Sequence, residues 1–202
     1  RYAAQKFFIY TFAASVLMLA GTLVMYFNND ASWVGNITGK SFDFVLMDTS
    51  TNFIATEGLR SVVFLLMLIG FATKMPSVPV HTWLPDAHVQ APTAGSMLLA
   101  GVMLKMGAYG FLRLGVTLFP DQVIEFQTLL IVLGMVSLVY GAVVCLGQMN
   151  LKRMVAYSSV SHMGLIFLGI ATLQPLGIAG AMFMMFAPVS YTHLRAHETS
   201  LH

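Results

Sequence analysis

Apolar residues along this chain come in unbroken blocks separated by shorter polar stretches. Taking about 20 residues as the length that crosses the hydrocarbon core of a bilayer, five blocks can span: Phe7–Phe27, Ser61–Val80, Pro92–Leu114, Leu129–Leu146 and Met154–Leu173. A sixth begins near Leu176 and stops at Ala187, too short to cross. Between the first two blocks lies Asn28–Glu57, which holds Asp30, Asp43, Asp48, Glu57 and Lys40 and reads as a surface loop with room for one short interfacial helix. The pattern predicts an all-α protein, a polytopic transmembrane helix bundle of about five complete spans plus a truncated sixth.

Composition agrees with that reading: 57% of the 202 residues are hydrophobic and only 9% are charged, and the mean hydropathy is +0.79. A soluble domain carries roughly 25% charged residues; a surface facing lipid needs none. The net charge of +2 is too small to suggest nucleic acid. Cys145 is alone, which excludes an intrachain disulfide, and no redox metal site is visible. Arg1 to Phe8 lack the short core and small-residue cleavage site of a signal peptide. The chain does not start with Met, so it is expected to be an internal fragment. Arg1, Lys6, Lys152 and Arg153 fall on one side of the predicted topology, and Lys40, Arg60 and Arg113 on the other. With fewer acids on the first side, the chain start and the His81–His88 loop are expected on the cytoplasmic or matrix side.

Two of the blocks contain a lone ammonium. Placing Lys at the centre of a spanning helix costs about 2.5–3.5 kcal/mol, and ionisable groups inside a membrane default to ion or proton pathways. Lys74 is followed by Met75-Pro76-Ser77-Val78-Pro79-Val80, and proline inside a helix removes backbone hydrogen bonds and kinks it. The helix is therefore expected to break between Lys74 and Pro79, with a protein-lined or watered cavity satisfying the exposed backbone. The alternative is a lysine near a helix end that snorkels to the interface.

Lys105 lies about two residues from the midpoint of its block, roughly 3 Å along a helix axis. Lys74 lies about four residues from its midpoint and His162 within about two, so three titratable groups from three helices share one depth. Joined by water and by hydroxyls such as Ser158, Ser159 and Ser161, they form a candidate proton-relay row in the membrane plane. A desolvated ammonium sits where a neighbour's charge can toggle its protonation. For His162 a satisfied packing histidine is the competing reading.

The loop His81-Thr82-Trp83-Leu84-Pro85-Asp86-Ala87-His88 gathers two histidines, an aspartate and an interfacial Trp. It fits no standard metal-ligand spacing; proton uptake into the row through His81 and His88, or a turn capped by Asp86, accounts for it better. The small residues Ala94, Gly95, Ser96, Ala100, Gly101, Gly107, Ala108 and Gly110 predict close helix approach along the third span.

The run from Lys74-Met75-Pro76 through His81-Thr82-Trp83-Leu84-Pro85-Asp86-Ala87-His88-Val89-Gln90-Ala91-Pro92-Thr93-Ala94-Gly95-Ser96 resembles the antiporter-like subunits of proton-pumping NADH:quinone oxidoreductase, respiratory complex I. Within them, Leu99-Ala100-Gly101-Val102-Met103-Leu104-Lys105-Met106-Gly107-Ala108-Tyr109-Gly110-Phe111-Leu112-Arg113 is most similar to the chain M group, bacterial counterparts of mitochondrial subunit 4. Leu151-Lys152-Arg153-Met154-Val155-Ala156-Tyr157-Ser158-Ser159-Val160-Ser161-His162-Met163-Gly164 is a further match. The resemblance implies part of a fourteen-helix antiporter-like fold built from two inverted repeats, these spans corresponding to helices six to ten and the start of eleven. It places the family's broken-helix lysine on Lys74, its next-helix lysine on Lys105 and its later relay histidine on His162. The glutamate partner of the first lysine and the late exit residue are expected outside Arg1–Ala187, and the family's usual Asp is replaced by Asn150.

Residues 1–187 are thus expected to form a partial proton-translocating transmembrane domain. Relatives continue beyond Met184-Met185-Phe186-Ala187 into more helix, whereas Pro188 to His202 resemble artefactual appended sequence. Residues 188–202 are accordingly expected to be a non-native tail, and His193, His197 and His202 are not read as a metal cluster. By resemblance, the chain is a subunit of an NADH:quinone oxidoreductase in a bacterial or organelle inner membrane, enzymatic only as part of that assembly. It would hold no redox centre itself, with NADH, FMN, iron–sulfur clusters and quinone in partner subunits and related antiporter-like chains as neighbours. The alternative is a subunit of a multisubunit sodium/proton antiporter or membrane-bound hydrogenase. A purely structural scaffold would have no use for two midplane lysines.

Overall fold

The computed structural model describes residues 1–28 and 56–198, without the side chains of residues 93, 94, 97 and 187–198. The predicted surface connection therefore lies almost wholly outside the described residues. Within them the chain is all helical. α1 (Tyr2–Asn28) is a continuous run of Leu, Met, Ala, Val and Phe with most of its large side chains facing outward. α2 (Glu57–Lys74) begins with an acid and ends with a base, each opposite in sign to the helix-dipole end it occupies.

The second apolar block does not continue as helix to Val80: α2 stops at Lys74, and a short α3 (Trp83–Gln90) follows a non-helical link. Proline is the reason. Pro76 lacks the N–H that would have reached the Ala72 carbonyl, and the Ser77 N–H takes that carbonyl instead, at 3.0 Å. The link includes a cis peptide bond between Val78 and Pro79. The sequence placed His81 to His88 in a loop with an interfacial Trp. The structure corrects this, because most of the segment is α3, and His81, Trp83, Leu84 and His88 are buried.

The third span is continuous from Thr93 to Val116 but not uniformly α-helical. α4 (Thr93–Leu98) passes into a π-helical stretch (Leu99–Met103), α5 (Leu104–Gly110) and a second π-helical stretch (Phe111–Val116). Pro92 stands before it in extended conformation rather than inside it. α6 (Pro120–Glu125) is a short connector, proline at its first turn, and leads into α7 (Gln127–Leu146). α8 (Leu151–Ala171) starts at Asn150, whose side-chain oxygen accepts the Lys152 N–H at 3.0 Å, a cap that Asp would supply equally well. α9 (Pro175–Glu198) crosses the expected boundary at residue 187 as helix, while its apolar part is confined to Pro175–Phe186. Four helical stretches, α1, Leu99–Val116, α7 and α8, are long and apolar enough to cross a membrane.

The core is aromatic where α2, the third span and α8 meet. Phe64 stacks on Phe126 with ring centroids 5.7 Å apart and leans on Phe111 and Phe119. Phe111 in turn contacts Phe71 and Phe167. α7 and α8 form the most extensive helix pair, and they touch backbone to backbone. A Cβ built on Gly164 would lie 2.5 Å from the Leu138 nitrogen and 2.7 Å from the Gly134 oxygen. Such close approach is how helices associate when lipid removes the hydrophobic drive between them.

Gly164→Ala is expected to force α7 and α8 apart and destabilise the protein by about 1–3 kcal/mol, the range for overpacking. Gly101→Ala, where an added Cβ would meet nothing within 4 Å, is expected to be neutral. Thermal unfolding of the two detergent-solubilised variants measures the difference.

Candidate functional site

Lys74 is the last residue of α2. The carbonyls at that helix end are already occupied: Phe71 O by the Met75 N–H at 2.7 Å, Ala72 O by the Ser77 N–H and hydroxyl, and Thr73 O by the Trp83 indole N–H at 2.9 Å. Among the described residues the Lys74 ammonium has neither a hydrogen-bond nor an ion-pair partner. Its backbone is pressed against the third span at Gly107, where an added Cβ would lie 3.1 Å from Lys74 Cβ and 3.1 Å from Met75 Cγ. Glycine there is a spacing device.

Lys105 is on the same helix, two residues before that contact. Its ammonium donates to the Ala100 carbonyl at 2.6 Å, in the π-helical stretch where the Leu104 N–H bonds to Leu99 five residues back. π-helical turns inside α-helices are frequent at functional sites. The same helix also packs on α8, which bears His162. The tertiary structure therefore packs α2 on the third span at Lys74 and Gly107, and the third span on α8, so the helices that bear Lys74, Lys105 and His162 are neighbours in that order.

The hydroxyls expected to link this row each donate to a backbone carbonyl. Ser158 and Ser159 donate to the Val155 carbonyl, and Ser161 donates to Leu138 O across the α7–α8 interface at 3.0 Å. Each satisfies a backbone acceptor, which is what a hydroxyl in an apolar helix does by default.

His81 and His88 meet different neighbours. His81 lies in the link, 4% exposed, its ring edge-on to Tyr140 with centroids 5.0 Å apart and tilted against Tyr157 at 6.3 Å. His88, on α3, shares a hydrogen bond between Nδ1 and the Ser96 hydroxyl. His81 Nδ1 and His88 Nε2 are buried without a hydrogen-bond partner. Asp86 does not cap a turn. It binds the Lys6 ammonium at 2.8 Å, with Arg153 at 3.9 Å on its other oxygen, and so ties α3 to α1 and α8. A second tie runs from the Thr82 hydroxyl to the Tyr10 hydroxyl at 3.2 Å. Lys6, Asp86 and Arg153 therefore gather at one end of the bundle, the grouping the predicted topology requires.

Sequence reasoning passed over Thr73, Ser137, Tyr140 and Tyr157. Ser137 alone carried a signal, a hydroxyl in the middle of a long apolar block. The others are recognisable only from their neighbours.

A family described as NADH:quinone oxidoreductase/Mrp antiporter, transmembrane, matches residues 1–194. The chain belongs to this family. It is 47% identical over 188 residues to NADH-quinone oxidoreductase subunit M of Rhodobacter capsulatus, covering 92% of this chain and 36% of that protein. It is likewise 47% identical to NAD(P)H-quinone oxidoreductase chain 4 1 of Picosynechococcus, covering 92% of this chain and 33% of that one. The chain thus spans about a third of the length of these curated relatives. In solved structures, it superposes on a chain of respiratory complex I from Thermus thermophilus with bound NADH at a TM-score of 0.82 and 29% identity, covering 95% of this chain and 38% of that one. A chain of the Mrp complex from Dietzia superposes at 0.77 with 20% identity, over 96% of this chain and 33% of that one, which shows a shared fold. This family member is an integral membrane protein, and the break after Lys74 is the centre of its candidate site.

Trp83→Phe keeps the aromatic bulk but leaves Thr73 O without its donor, and is expected to cost about 1 kcal/mol. Asp86→Asn is expected to cost less than about 1 kcal/mol, because the ion cluster is partly exposed, and to lose most of its effect in high salt. Thermal unfolding of both variants at low and high salt separates the two.

Proposed function

We propose that this chain forms part of a proton-translocating membrane subunit of an NADH:quinone oxidoreductase. Its relatives at 47% identity are named as such subunits. The structural observation that carries the reading is Lys74, an ammonium at a helix end where the Phe71, Ala72 and Thr73 carbonyls are otherwise occupied, packed through Gly107 on the helix that bears Lys105. An ammonium placed this way is costly unless it is used.

In this reading, redox chemistry takes place in partner subunits, which hold NADH, FMN, iron–sulfur clusters and quinone, and alters the charge beside Lys74. The Lys74 ammonium releases a proton, Lys105 in its neutral amine form takes one up and passes it on towards the neutral imidazole of His162, and the Lys74 amine left behind is reprotonated to complete the cycle. Lys105 is poised for this because its present partner is a neutral carbonyl, from which it can part without breaking an ion pair. His81 and His88 are the proposed points of proton uptake, reached past the Asp86 cluster. The neighbours would be the other membrane subunits of the complex, and the location a bacterial inner membrane. The sodium/proton antiporter alternative shares the fold, but the identity to the Mrp chain is only 20%.

Lys74→Ala and Lys105→Ala, each made in the complete chain within the assembled enzyme, are expected to abolish proton translocation through this subunit while leaving assembly intact. Proton uptake into reconstituted vesicles during NADH oxidation is the measurement. Unchanged pumping in either variant refutes the relay.

A further inference from the structure

The link between α2 and α3 has few backbone donors, because Pro76 and Pro79 have none. Between the two prolines, Ser77 N–H is satisfied from within, by Ala72 O. Val78 N–H is satisfied from outside: it donates to the Ser137 hydroxyl of α7 at 2.9 Å, and that hydroxyl donates onward to Leu133 O at 2.7 Å. Ser137 is fully buried, at 0% exposure. It also lies between two close helix contacts. Gly134 and Gly141, one turn to either side on α7, are each pressed onto α8, against Gly164 O and Ser161 respectively. Tyr140, three residues further along α7, meets His81 in the same link. A helix packed closely on α8 thus contacts the break at two points.

We infer that Ser137 is a positioning residue, whose hydroxyl anchors the link to α7 and thereby sets where the Lys74 ammonium stands relative to Lys105. The inference rests on the proposed proton-translocating role. Ser137 touches no proton in transit; it acts through the backbone four residues beyond Lys74. Replacing it should loosen the link without emptying the core.

The test uses Ser137→Ala and Ser137→Thr in the complete chain within the assembled enzyme, with two readouts: amide exchange of the Met75–Thr82 segment and protons translocated per NADH oxidised. Ser137→Ala is expected to speed exchange at Val78 by roughly tenfold or more, since a buried donor has lost its acceptor, and to lower protons per NADH at normal assembly and NADH oxidation. Ser137→Thr, which keeps the hydroxyl, is expected to restore both. Wild-type stoichiometry in Ser137→Ala, with Lys74→Ala impaired, overturns the inference alone. Wild-type stoichiometry in Lys74→Ala removes the proposed function and the inference together. Equal impairment by alanine and threonine points to packing and also overturns it. If the alanine variant does not assemble, Ser137→Cys keeps the size with a weak acceptor. Faster exchange with fewer protons per NADH then supports the inference, and wild-type values overturn it.

Discussion

Interrupting a helix inside an apolar bundle exposes backbone groups that lipid cannot satisfy, so each must find a partner within the protein. In this chain that constraint falls on the residues from Phe71 to Trp83. Proline begins the interruption by withholding an N–H from Ala72, and the repair comes from three directions: the Ser77 backbone and hydroxyl, the Trp83 indole, and Ser137 from a distant helix. Because the repairs use up the carbonyls at the end of α2, the Lys74 ammonium is not needed as a helix cap.

Close packing then sets the helices that bear Lys74, Lys105 and His162 side by side. Gly107 lets the third span meet α2 at Lys74, and the π-helical turn beside Lys105 offers its ammonium a carbonyl rather than a carboxylate. On the far side, the glycine-mediated contact of α7 with α8 fixes the helix that bears His162. Around this line the phenylalanines of α2, the third span and α8 fill the apolar volume. The polar ties collect at one end, where Asp86 joins α1, α3 and α8.

Much of the fold was legible because a bilayer demands long apolar runs and penalises charge within them. That physics located α1, the third span, α7 and α8, and made Lys74 and Lys105 conspicuous. It misjudged the segment from His81 to His88. Its polar residues suggested a surface loop, but Trp83 is buried to serve a carbonyl ten residues back, and Asp86 is matched by a lysine eighty residues away. The partners of the α8 serines were not legible for a related reason. A hydroxyl in a helix reads the same whether it serves a pathway or its own backbone, and only the partner distinguishes them.

The sequence by itself determined the all-helical membrane class, the site of the helix break and the identity of the two costly lysines, since each depends on local properties: block length, proline's missing N–H and the desolvation of charge. Only the tertiary structure decided what repairs the break, that Gly107 brings Lys105's helix against Lys74, and that α7 anchors the link through Ser137. Those are contacts between residues far apart in the chain, made where helix backbones approach closely. No local pattern records which surfaces will meet.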